Sequence, residues 1–84
     1  MTVITEVRFT TRELEIIKLI LLRFSRKEIA DILEIMEGTV NVHIGHLFLK
    51  TDSHCIEDFI LYMLSNGFSV NRDGTEVSYN GTIL

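Results

Sequence analysis

Ser25-Arg-Lys-Glu-Ile-Ala30-Asp-Ile-Leu33-Glu-Ile-Met-Glu-Gly-Thr-Val-Asn-Val-His43 is the stretch that decides how this chain folds. Ser25 stands three residues ahead of Glu28, the spacing at which a hydroxyl and a carboxylate each satisfy a main-chain amide of a helix's first turn. The spacing predicts a short helix whose inward face is Ile29, Ile32 and Leu33. Ala30 is small enough to let another helix cross closely. The run from Glu34 to Thr39 breaks the pattern without a proline. A longer helix then runs from about Glu37 to Lys50, with Val40, Ile44 and Leu47 at i, i+4 and i+7. Thr39, Asn41, Val42, Gly45, His46 and Leu49 fall elsewhere on the wheel. Two helices joined by a tight break, with a small residue in the first and a polar outer face on the second, form a helix-turn-helix pattern.

Working outward, Thr10 and Glu13 repeat the capping spacing and open a strongly apolar helix. Leu14, Ile17 and Leu21 make one stripe on it, and Ile16, Ile20 and Phe24 another. Beyond Lys50, a fourth helix is expected to start near Asp52 or Ser53. Ile56, Phe59, Ile60, Met63 and Leu64 form its inward stripe, and Asn66-Gly67 its stop. Leu61 and Tyr62 lie off that stripe and are expected to be exposed in a monomer. The remainder reads as strand, turn, strand, turn and short strand, because Asp73-Gly74 and Asn80-Gly81 are strong hairpin signals. Residues 1–9 read as a short edge strand or an ordered tail. The expected architecture is mainly α, four helices with a short C-terminal β-hairpin or meander. Residues 1–84 form a single domain, with 9–66 as the helical core and 67–84 as an extension.

At 84 residues, 46% of them hydrophobic, the chain suits one small folded domain and is too apolar for disorder. It is short for an enzyme that encloses its substrate between lobes. No apolar run approaches the twenty or so residues of a membrane span, and no secretory leader pattern follows Met1. Cys55 is the single cysteine, which excludes an internal disulfide and makes a cytoplasmic setting the expectation.

The net charge of −4 has the wrong sign for a nucleic-acid binder. Its distribution does not. Residues 8–30 carry six basic and three acidic side chains, residues 31–37 three acidic ones, and residues 51–84 five acidic and one basic. Between Gly38 and Lys50 there is no carboxylate. Phosphates respond to the field within a Debye length of about 8–10 Å, so a local neutral-to-positive face suffices.

Three segments together resemble one family. Phe9-Thr-Thr-Arg-Glu-Leu-Glu-Ile-Ile-Lys-Leu-Ile20 resembles the opening of the LuxR-type (GerE, NarL/FixJ-like) helix-turn-helix domain, which reads Leu-Thr-x-Arg-Glu-x-Glu-Val-Leu. Ser25-Arg-Lys-Glu-Ile-Ala30 resembles its Ser-Asn-Lys-Glu-Ile-Ala. Leu33-Glu-Ile-Met-Glu-Gly-Thr-Val-Asn-Val-His43 resembles its Leu-x-Ile-Ser-x-x-Thr-Val-Lys-x-His. All three occur in order and at the right spacing, over residues 9 to about 66. The resemblance implies a four-helix DNA-binding unit of transcription regulators, with the third helix in the major groove and the fourth commonly mediating dimerisation. Such domains usually close a longer regulator. No receiver or ligand-binding domain is expected ahead of this one, and regulation is expected to come from elsewhere.

The implied roles fall by position. Arg26, Lys27, Thr39 and Lys50 are expected on phosphates, and Asn41, Val42, Gly45 and His46 in the groove. Asparagine can pair bidentately with adenine, and valine can touch a thymine methyl. The dimer is expected through Ile56, Ile60, Leu61, Tyr62 and Leu64. The chain departs from the family where Asn41 replaces a lysine and Gly45 an often basic residue. Met36 replaces the capping serine, a loss of about 1 kcal/mol. Thr51-Asp52-Ser53 replaces Leu-x-Val, and Ile56 an arginine. The expectation is therefore a sequence-specific regulator that binds double-stranded DNA weakly and as a homodimer. The alternative is a protein-interaction or dimerisation module on the same fold, with weak or lost DNA binding, whose partner docks on the fourth helix or the C-terminal strands.

Enzyme chemistry and cofactors are not expected. His43 and His46 have metal-ligand spacing, with His54 and Cys55 nearby, but no closing ligand pair completes a four-ligand zinc site. Asp52, Ser53 and His54 are consecutive, so their side chains diverge and form no triad. Cys55 reads as a core residue.

Overall fold

Thr10 and Ser25 begin two helices by the same device. The Thr10 hydroxyl accepts from the Glu13 amide at 3.1 Å, and the Thr10 amide donates to Glu13 Oε1 at 2.8 Å, ahead of α1 (Thr11–Leu21). Ser25 and Glu28 make the same exchange ahead of α2 (Arg26–Leu33). Two further helices follow, α3 (Glu37–Thr51) and α4 (Ile56–Ser65), then strands β1 (Phe68–Val70), β2 (Val77–Tyr79) and β3 (Thr82–Ile83). The structure is a computed structural model that describes residues 9–84. Apart from Phe9, the expected N-terminal strand or tail lies outside the described residues.

The first three helices also end alike. Arg23, Glu34 and Asp52 each take a left-handed conformation, with φ of 71°, 58° and 54°. At each, the next amide reaches five residues back: Phe24 to the Leu19 carbonyl at 3.1 Å, Ile35 to Ala30 at 3.0 Å, and Ser53 to Phe48 at 2.9 Å. The left-handed residue itself bonds three residues back, so two carbonyls in the last turn of each helix accept from main chain.

This ending corrects the expected start of the fourth helix. Asp52 and Ser53 carry N-cap chemistry, but Asp52 closes α3. The Ser53 hydroxyl shares a 2.7 Å hydrogen bond with Thr51, whose own hydroxyl bonds the Leu47 carbonyl at 2.8 Å. The cap of α4 is Cys55, in extended conformation and without a side-chain cap bond. Cys55 is therefore exposed ahead of the helix and is not a core residue.

The core is built from Ile16, Ile17, Ile20 and Leu21 of α1, Ile29 and Ala30 of α2, Val40, Ile44 and Leu47 of α3, and Phe59, Ile60 and Met63 of α4. Two inward assignments fail here, Leu64, which is 43% exposed on α4, and Ile32. Ile32 points outward at 48% exposure, and Leu33 is the half-buried residue beside Ile29 and Ala30. A helix this short buries one narrow stripe, and the pair 29/33 occupies it. Tyr62, expected outside, is half-buried against the core, whereas Leu61 is 64% exposed.

The three strands form an antiparallel meander in sequence order, with Phe68 opposite Tyr79 and Ser78 opposite Ile83. Asn71 organises the first turn, its Oδ1 accepting from the amides of Thr75 and Glu76 at 2.8 and 3.0 Å. Asn80 and Gly81 both have positive φ, as a two-residue hairpin loop requires. Phe68 and Val77 are buried in the common core, and Lys18 Nζ donates to the Leu84 carbonyl at 3.1 Å. Residues 67–84 thus pack as part of the same core as the helices.

Gly67 makes the turn from α4 into β1 at φ +100°, and a Cβ there would meet the side-chain amide oxygen of Asn80 and lie 3.3 Å from the Tyr79 ring. Gly67→Ala is expected to lower stability by about 1–2 kcal/mol, read as a lower urea midpoint with an unchanged slope.

Candidate nucleic-acid interface

Burial of Val40, Ile44, Leu47 and Thr51 fixes the rotation of α3, so its outward line is determined by elimination. Gly38, Val42, Gly45, His46 and Leu49 are all exposed along it, with Val42 at 57% and Leu49 at 83%. Nothing comes within 4 Å of where a side chain would stand at Gly38 or Gly45. The outer surface is thus a smooth ridge with two apolar projections. His43 is half-buried on the flank. The apolar projection at Leu49 is legible in the helical periodicity, which places it off the buried stripe.

The N-terminus of α2 supplies the charge. Arg26 and Lys27 are its first two residues, and Lys27 is exposed. Arg26 reaches across to α3, where Nη1 donates to Asn41 Oδ1 at 2.8 Å. The structure thus brings Arg26 and Asn41 together, although they lie 15 residues apart. Thr39 is exposed in the first turn of α3, as expected, and Met36 caps that helix without a side-chain bond.

Lys50 is placed differently. Its ammonium lies 2.7 Å from Glu13 Oε1 and 5.6 Å from the centre of the Phe9 ring, tying the C-terminal end of α3 to the start of α1. It stands nine residues beyond Asn41, about 13 Å along the helix axis. Glu13 is buried and serves the Thr10 cap and Lys50 with the same oxygen. Burial alone raises its carboxyl; the Lys50 hydrogen bond, the Thr10 amide and the Lys50 charge outweigh that and hold it below its ordinary value of 4.5.

Residues 7–63 match the family model GerE, bacterial regulatory proteins of the luxR family. The chain belongs to this family. It carries a helix-turn-helix DNA-binding domain of transcription regulators, and the luxR-family match takes in α1 to α3 and all but the end of α4. The meander lies beyond the matched residues. No curated protein and no solved structure matches the chain. Among the described residues no helix is long and apolar enough to cross a membrane, and no three His, Cys, Asp or Glu side chains gather as metal ligands.

The five residues assigned to dimerisation separate into two groups. Leu61 and Leu64 are exposed on α4. Ile60 is buried in the core, and Ile56 and Tyr62 are half-buried against it. Leu64 lines a shallow groove with Leu21, Leu22 and Val70.

Proposed function

We propose that this luxR-family domain binds double-stranded DNA sequence-specifically as a homodimer, laying α3 of each copy in the major groove of one half-site. The observation that carries the reading is the exposed face of α3, which has no carboxylate after Glu37 in its first turn and is flanked by the two cations at the start of α2. On this reading Lys27 and Thr39 contact phosphates, Asn41, Val42, Gly45 and His46 face base edges, and Lys50 gives a weaker phosphate contact because Glu13 shares its charge. Leu61 and Leu64 supply the exposed part of the dimer contact. Val42 and Leu49 suit thymine methyl groups.

Selection from a random duplex pool at low salt tests the proposal. Enrichment of a two-half-site motif supports it, and a folded protein that enriches nothing ends it. Lys27→Ala is expected to weaken binding to every sequence alike and to lower the slope of log K against log salt by about one, measured by fluorescence anisotropy over a salt series. The exposed Leu61 on α4 and Ile83 on β3 favour the second reading, a protein-interaction module. A stoichiometric protein partner displaced by Leu61→Asp, together with no enriched DNA motif, selects it.

A further inference from the structure

The Arg26–Asn41 hydrogen bond changes what the groove face can recognise. Asn41 is exposed on the face of α3 that the proposed DNA reading directs at the bases, and the half-buried Arg26, from the first turn of α2, reaches it there through this bond. An asparagine reads adenine by accepting from N6 through Oδ1 and donating to N7 through Nδ2. Here Oδ1 already accepts from the Arg26 guanidinium at 2.8 Å. One Oδ1 lone pair is thus engaged by a cationic donor, Asn41 keeps both Nδ2 donors, and the guanidinium beside it has donors only. Among the described residues, ion pairs join Arg12 to Glu15 and Lys50 to Glu13, and neither carboxylate claims the Arg26 charge.

An edge dominated by donors favours one base. Guanine presents two acceptors, N7 and O6, in the major groove, whereas adenine presents an acceptor beside a donor. Resting on the DNA-binding reading, we infer that Arg26 and Asn41 act as a single base-reading unit that takes guanine. Arg26 makes the base contact, and Asn41 is the positioning residue that holds the guanidinium at the groove face. This moves Arg26 from the phosphates to the bases and reverses the adenine preference that Asn41 alone suggests. It also supplies a cation to the outer face of α3, which has none of its own before Lys50.

The test is selection from a random duplex pool, followed by affinity measurements on the enriched site and on the same site with guanine replaced by adenine. The proteins are the full chain and its Arg26→Ala, Asn41→Ala, Arg26→Lys and doubly substituted variants, each checked for helical content. The wild type is expected to favour guanine by roughly 5- to 150-fold at one position of each half-site, the span of one good bidentate contact. Arg26→Ala and Asn41→Ala are each expected to lose that preference, and the double variant to lose no more than either. Arg26→Lys is expected to keep most of the affinity while losing the discrimination, because an ammonium lacks the planar fork. Three results overturn the inference: single losses that multiply in the double variant, an Arg26→Ala loss equal on all sequences with the guanine preference intact, or an enriched adenine whose preference only Asn41→Ala removes. A folded wild type that enriches no motif is a separate result, which overturns the DNA-binding reading itself.

Discussion

Phe59→Ala is expected to cost about 3–5 kcal/mol and to leave little of the fold. Phe59 is fully buried in the middle of α4, and its ring lies 5.9 Å from that of Phe48 on α3. It packs in a core shared by all four helices and by Phe68 and Val77 of the meander. Truncation removes the transfer free energy of a large aromatic and opens a cavity that well-packed isoleucines and Met63 cannot collapse into without leaving their rotamers. Small domains carry about 0.05–0.15 kcal/mol per residue, which for a chain of 84 residues is about 4–13 kcal/mol in total. The variant is therefore expected to be partly unfolded at room temperature, with a broad, low urea transition by circular dichroism. Leu61→Ala, two residues on but exposed, is expected to change monomer stability by less than about 0.5 kcal/mol. Equal losses at both positions would show that the orientation of α4 is wrong.

The second large effect centres on Glu13. One buried carboxylate caps α1 and ties it to Lys50, so Glu13→Ala removes both. Loss of the capping exchange costs about 1 kcal/mol. Loss of the charge-assisted bond adds about 1–2 kcal/mol, reduced from the fully buried case because the Lys50 side chain is 36% exposed and regains water. The expected total is about 2–3 kcal/mol. Glu13→Gln isolates the charge and makes the effect pH-dependent. Since the folded carboxyl sits below its ordinary value of 4.5, folding favours the ionised form. That contribution is complete above the unfolded value, falls as pH drops through 4.5, and is gone below the folded value. The difference in melting temperature between wild type and Glu13→Gln is expected to be largest near neutral pH and to shrink on acidification below about 4.5. A difference that stays constant from pH 7 to 3 would show that the charge contributes nothing.

The helical architecture was legible because its signals are local. Thr10 with Glu13 and Ser25 with Glu28 act within one turn, so residue type and spacing suffice to place the starts of α1 and α2. Val40, Ile44 and Leu47 fix the inner face of α3 by periodicity, and the same count places Val42, Gly45 and His46 outside. Competition between two local rules hid the start of α4. Ser53 is a good cap residue, but closing α3 claimed it first through its amide and its hydroxyl. Ile32 was misassigned because an eight-residue helix has too few turns for periodicity to choose between neighbouring stripes. The contacts that matter most at the candidate interface were beyond any local rule. Arg26 meets Asn41 and Lys50 meets Glu13 only after the helices pack, so residues that each looked like a separate phosphate or base contact turn out to be paired within the chain.

The three left-handed helix ends bear on how this surface can change over evolutionary time. Glycine is the residue that fits such a conformation without strain, yet Arg23, Glu34 and Asp52 occupy it. Each of these turns carries the same pair of main-chain bonds, which depend on no particular side chain. Charge at each joint can therefore be rewritten, from cation to anion or to nothing, while the joint keeps its shape. The fold separates the geometry of its corners from their chemistry, which leaves the corners free to be retuned for new partners.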